Sequence, residues 1–131
     1  MVRAARALIL LAGLATGGVA QAYGGRELLE DCQAAEAMYA DKKAGDPYRS
    51  VQGARCMAYV AGFADGYGVG DYLAGKVGVQ LNAICLPSDG DVQYRLVRAV
   101  LAHLEKQPPN TTADTRTLVA GALSKAFPCP P

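Results

Sequence analysis

Four cysteines, Cys32, Cys56, Cys85 and Cys129, divide the 131-residue chain at intervals of 23, 28 and 43 residues, and no two form a C-x-x-C pair. That spacing is wrong for a structural zinc site or a thiol-exchange site, since both usually hold two cysteines within one turn of chain. His103 is the sole imidazole, so a mixed Cys/His ligand set is poorly supplied as well. An even number of widely spaced cysteines suits two structural disulfides, provided the chain reaches an oxidising compartment.

The N-terminus points to such a compartment. Arg3 and Arg6 precede the apolar run Ala7–Ala15, and Ala20-Gln21-Ala22 has the A-x-A form of a cleavage site. The run is about half the roughly 20 residues that a membrane-spanning helix needs, so the segment reads as a cleavable leader and not an anchor. The expected organisation is a signal peptide over 1–22 and one domain over 23–131, with no membrane span in the mature chain. Thirteen basic and twelve acidic residues leave no large positive field, which argues against nucleic acid as a partner.

Periodicity predicts an all-α domain of four to five helices. Leu28, Cys32, Ala35 and Tyr39 recur at helical spacing in a segment from Arg26 to about Lys42. Ala44-Gly45-Asp46-Pro47 is a turn by composition. A second stretch from about Tyr48 places Cys56, Tyr59, Val60, Phe63 and Tyr67 on one face. Gly62, Gly66 and Gly70 weaken its later part, and that row reads as tight packing inside the domain or a frayed end. Residues 66–81 therefore read as an irregular stretch. Asp91 is placed to cap a third helix ending before Pro108, and Thr111 or Thr112 a fourth with Leu118, Val119, Ala122 and Leu123 inward.

Two antiparallel hairpins then select one disulfide pattern among three. Cys32 lies about ten residues before the first turn and Cys56 about nine after it, so they face each other. Cys85 precedes the third helix and Cys129 follows the fourth, both at the open end of that hairpin. The expected bonds are Cys32–Cys56 and Cys85–Cys129.

The residue inventory is short of catalysts. Serine occurs only at Ser50, Ser88 and Ser124, and Ser88-Asp89 near Cys85 reads as turn chemistry. Gly66-Tyr67-Gly68-Val69-Gly70 lacks the lysine of a phosphate loop. Asp65 and Asp71 could share a helix face, with nothing to complete an acid–base couple. Asn110-Thr111-Thr112 is a short sequon match. No catalytic residue, cofactor or metal site is expected, and the protein reads as a binding module. Seven tyrosines are the residues best suited to protein recognition.

The order Cys56-Met57-Ala58-Tyr59-Val60-Ala61-Gly62-Phe63-Ala64-Asp65, then Cys85-Leu86-Pro87, then Ala122-Leu123-Ser124-Lys125-Ala126-Phe127-Pro128-Cys129 resembles the Rap/Tai family of periplasmic type VI secretion immunity proteins. The resemblance runs over roughly residues 27–129. The chain departs from the family pattern by an extra residue between Cys85-Leu86-Pro87 and Gly90, and by its glycine-rich stretch from Gly66 to Gly78. The resemblance implies a small helical protein, often dimeric, that binds a toxic secreted effector of the peptidoglycan-amidase kind and occludes its active site. It implies a periplasmic location. The alternatives are a periplasmic stress chaperone of the HdeA type, which would expose apolar surface when acid protonates its carboxylates, and a family member without an immunity role. Candidate contact regions are the loop from Lys42 to Tyr48 and the stretch from Gly66 to Leu81, with Tyr67, Asp71 and Tyr72 as the partner-binding residues.

Overall fold

The computed structural model describes residues 23–41, 45–108 and 113–131, so the leader assigned to 1–22 and the sequon at 110–112 lie outside the described residues. Four helices and no strand are present among them: α1 (Gly25–Ala40), α2 (Pro47–Gly75), α3 (Val92–Leu104) and α4 (Thr115–Ala126). Each begins where a polar group can serve its unpaired N–H groups. The Glu27 carboxylate accepts from Gly24 N–H at 2.7 Å. Asp46 accepts from Tyr48 N–H at 3.0 Å, with Pro47 at the first helical position, where no donor is needed. Asp91 caps α3 as expected, accepting from Tyr94 N–H at 3.2 Å. The fourth helix is capped by Asp114, which accepts from Thr117 N–H at 2.9 Å. Thr111 and Thr112, the expected caps, fall outside the described residues. A carboxylate one residue before the helix takes that role.

The two hairpins form as the periodicity predicts, α1 along α2 and α3 along α4, with α1 also packed on α3. Cys32–Cys56 and Cys85–Cys129 are the disulfides, with Cα–Cα separations of 5.1 and 4.8 Å. Gly53 sits against the backbone of Ala35, where an added Cβ would lie 3.1 Å from both Cα and N. The pairs 32/56 and 35/53 step in opposite directions, so α1 and α2 are antiparallel and in close contact. The core that joins the hairpins contains Leu28, Val60, Val97, Leu101, Val119 and Leu123, each almost completely buried.

The later part of α2 departs from expectation. The helix continues without a break through Gly66, Gly68 and Gly70 to Gly75, and only residues 76–91 are irregular. Gly62 and Gly66 do not serve internal packing: a Cβ at either would meet nothing within 4 Å. No residue of α2 after Ala64 is buried, so its last eleven residues, roughly 16 Å of helix, form an overhang. Lys76, Val77 and Gly78 close the helix with carbonyl bonds to Leu73, Ala74 and Gly75. Gly78 at φ +78° then turns the chain back along the overhang, a conformation that glycine adopts without steric cost.

Candidate functional site

Two polar assemblies sit on α2, one on each half. In the first, Asp31 of α1 is completely buried and receives two bonds from Arg55, Nε to Oδ2 at 2.8 Å and Nη2 to Oδ1 at 3.0 Å. Tyr23 adds its hydroxyl to Oδ2 at 2.5 Å. Its ring packs on Tyr59 at 5.3 Å between centroids and lies under the Arg55 guanidinium at 5.6 Å. The Tyr23 carbonyl accepts from the Thr115 hydroxyl of α4. Burial, and then the bond to Asp31, pushes the Tyr23 phenol above its ordinary range, while the same carboxylate raises Arg55. A buried carboxylate with three donors is satisfied, and a satisfied network of this kind orders a joint and leaves no group free for chemistry. It lies directly beside Cys32–Cys56 in both helices. The sequence signal was an acid next to one cysteine and a base next to the other, which periodicity alone does not weigh.

The second assembly shapes the overhang. Tyr67, half-buried, accepts at its hydroxyl from the N–H groups of Ala83 and Ile84 at 3.0 and 3.1 Å. Asp71 accepts from Leu81 N–H at 3.1 Å. Both side chains therefore hold the returning segment against the helix. Tyr72 stands 63% exposed, with the Lys76 ammonium 4.7 Å from its ring centroid. A small open cleft of about 230 Å³ lies between the end of α2 and the returning segment and is lined by Tyr67, Asp71, Gln80, Asn82, Ile84 and the Cys85–Cys129 bond. Cys85 N–H also donates to the Phe127 carbonyl at 2.9 Å, so the base of the overhang is tied twice to the end of α4.

Around this frame Val69, Leu73, Val77, Val79 and Leu81 are exposed, a concentration of large apolar side chains that the core does not use. Sequence reasoning singled out the tyrosines here and missed the aliphatic residues. The signal was an apolar series at 69, 73 and 77, four residues apart, off the stripe that carries Val60 and Ala64. Clustered apolar exposure on a small domain marks a contact surface more often than scattered single residues do.

The other sequence candidates are not brought to this site. Tyr48 is exposed in the first turn of α2, at the opposite end, and Lys42 and Lys43 lie outside the described residues. Asp65 and Asp71 do not share a face, since six residues turn a helix through about 600° and leave them some 120° apart. Asp89 pairs with Arg95 at 4.0 Å in the turn before α3. His103 is half-buried on α3 against Gly121 of α4, with Gln107 Nε2 at 3.3 Å from its ring. Burial, then Lys125 and Lys106, lower its pKa. Among the described residues no group of three or more His, Cys, Asp or Glu is placed to hold a metal ion, and no helix is long and apolar enough to cross a membrane. Comparison with known proteins gives one family: the model for Rap1a immunity proteins matches residues 24–129. No curated protein and no solved structure matches the chain.

Proposed function

Because the chain belongs to the Rap1a immunity protein family, we propose that it neutralises a secreted effector by stoichiometric binding in the periplasm, after export and cleavage behind Ala22. The effector is a type VI toxin of the peptidoglycan-amidase class, and the immunity protein acts by covering its active-site cleft. One observation carries this reading: the overhang of α2 presents exposed Val69, Tyr72, Leu73, Val77 and Val79 on a frame that is held in shape before any partner arrives. Tyr67, Asp71 and the Cys85–Cys129 bond supply that frame. A preorganised projection enters a cleft at low entropic cost, because few of its rotamers and none of its backbone turns remain to be ordered. Tyr72 is the contact residue of this reading, and Tyr67 and Asp71 shape the surface that Tyr72 stands on.

The test is a titration of the mature chain against the product of a neighbouring toxin-like gene, with peptidoglycan cleavage as the readout. Inhibition should be complete near one equivalent. Tyr72→Ala and Leu73→Glu should each weaken it at least tenfold while leaving the circular dichroism spectrum unchanged. Full activity of the toxin in the presence of excess wild-type chain would overturn the proposal. Suppression of aggregation of unrelated proteins only at acid pH would favour the chaperone alternative instead.

A further inference from the structure

The two disulfides differ in what can reach them. Cys32 and Cys56 are completely buried, beside the level where α1 and α2 touch through Ala35 and Gly53. Cys85 is exposed and Cys129 half-buried, and Leu86 and Pro130, their neighbours in sequence, are exposed as well. Their bond forms part of the wall of the open cleft beside Tyr67, Asp71, Gln80 and Asn82. Thiol–disulfide exchange needs a thiolate to reach one sulfur of the bond, and accessible disulfides are the labile ones. Access alone therefore separates the two bonds.

We infer that Cys85–Cys129 is a thiol-exchange site, opened by a dithiol that enters the cleft, and that its opening unlocks the overhang while the bundle stays folded. The chain is the substrate of this exchange, so it does not need the C-x-x-C pair that a thiol-exchange catalyst carries. A thiolate of the dithiol attacks Sγ of Cys85, the more exposed residue of the pair, and forms a mixed disulfide there. The Cys85–Cys129 bond breaks, and its electron pair leaves on Sγ of Cys129, which takes a proton. The second thiol of the reagent then gives up its proton and attacks the reagent's own sulfur in the mixed disulfide. That closes the reagent's disulfide and releases Cys85 as a thiolate, which is protonated in turn. Two electrons and two protons pass to the protein, and the dithiol is oxidised.

What the bond holds decides what its opening does. The irregular segment 76–91 carries a glycine in the left-handed region near each end, Gly78 and Gly90. It is tied down by Tyr67 and Asp71 through three N–H groups, by Cys85 N–H on the Phe127 carbonyl, and by the disulfide, its one covalent crosslink. Once the disulfide opens, the junction with α4 is left with a single backbone hydrogen bond. The bonds at Ala83 and Ile84 then break more often, because local opening needs fewer contacts to be lost together. The bundle keeps its own crosslink, Cys32–Cys56, and the buried Leu28, Val60, Val97, Leu101 and Val119, none of which lies in that segment. If the overhang is the effector contact, its opening undoes the preorganisation that favours binding. This consequence rests on the proposed function, whereas the exchange chemistry stands without it.

Timed alkylation tests this. The mature chain is treated with dithiothreitol without denaturant, quenched with iodoacetamide and mapped by peptide mass. Cys85 and Cys129 should be labelled at least about a hundredfold faster than Cys32 and Cys56, with the helical circular dichroism spectrum retained. Amide exchange at Ala83 and Ile84 should rise at least about tenfold in the reduced chain, and likewise in the Cys85→Ser/Cys129→Ser variant, while Val60 stays protected. Equal labelling of the two pairs, loss of the helical spectrum as Cys85–Cys129 opens, or unchanged exchange at Ala83 and Ile84 would each overturn the proposal. The toxin titration separates it from the effector reading. For the same inhibition, the opened chain should be needed at a concentration at least about tenfold higher than the oxidised chain. Equal inhibition by both forms would overturn the unlocking of the contact surface. An oxidised chain that fails to inhibit would sink the effector reading and leave the labelling result standing.

Discussion

The two halves of α2 are held by different physics. From Pro47 to Ala64 the helix is locked to α1 by a buried disulfide, by the Asp31–Arg55 pair beside it, and by backbone contact at Gly53. From Asp65 to Gly75 nothing on the helix is buried, and Tyr67 and Asp71 hold the returning chain through three N–H groups. Glycine carries opposite meanings in the two halves. At Gly53 it removes a side chain that would collide with Ala35 and Met38, whereas at Gly68 a side chain would meet open space. One continuous helix can therefore serve as a fixed scaffold at one end and a presented surface at the other.

The largest effect should come from the scaffold end. Replacing Cys32 and Cys56 together with alanine removes a crosslink across a loop of 24 residues, worth roughly 3–4 kcal/mol through the unfolded chain, and leaves a void in the core as well. Chemical denaturation should show a loss of about 4 kcal/mol or more. A loss under 1 kcal/mol would mean that α1 and α2 hold each other without it. Gly53→Ala comes next: overpacking against the Ala35 backbone should cost about 1–3 kcal/mol.

At the presented end the effects should be smaller and local. Tyr67→Phe deletes the acceptor for two N–H groups in a half-exposed setting, so global stability should fall by about 1 kcal/mol. Amide exchange at Ala83 and Ile84 should speed up at least tenfold while Val60 stays protected. Equal acceleration at Val60 would show that the two halves unfold as one unit. Gly68→Ala should have the opposite sign to Gly53→Ala, a gain of about 0.5–1 kcal/mol, because helix propensity improves with no contact to disturb.

The smallest effect is one of pH, and it belongs to the bundle alone. The folded state lowers the His103 pKa through burial, so the unfolded chain takes up the proton first. Stability is then full above about pH 6.5, the ordinary histidine value, and declines as pH falls from there through the folded value. His103→Gln should flatten that slope, as followed by thermal unfolding between neutral and mildly acid pH, without changing exchange at Ala83 or Ile84.

How much of this was legible in sequence follows the same division. The helices, the hairpin order and both disulfides were readable because each depends on spacing: apolar residues at helical period, a turn at Gly45-Asp46-Pro47 with one cysteine on each side of it, and a second pair of cysteines flanking the α3–α4 hairpin. The Asp91 cap was readable for the same local reason. The extent of α2 was not. Its glycines argue for an early end, and what carries the helix on to Gly75 is a set of bonds from Tyr67 and Asp71 to residues ten to seventeen positions further along. Such contacts exist only once the chain has turned back at Gly78.

The sequence by itself determined the all-helical class, the crosslinks and the family pattern, because local periodicity and cysteine spacing survive without knowledge of neighbours. Tertiary structure alone decided that Asp31 would be buried under Arg55 and Tyr23, that Tyr67 and Asp71 would brace a projection, and that the apolar series from Val69 to Val77 would face away from the core. The physical reason is that burial is a property of the whole packing. An apolar residue at helical spacing faces the interior only if another element is there to cover it, and past Ala64 the core keeps contact with α2 at the partly buried Tyr67 while Val69 and Leu73 stay uncovered.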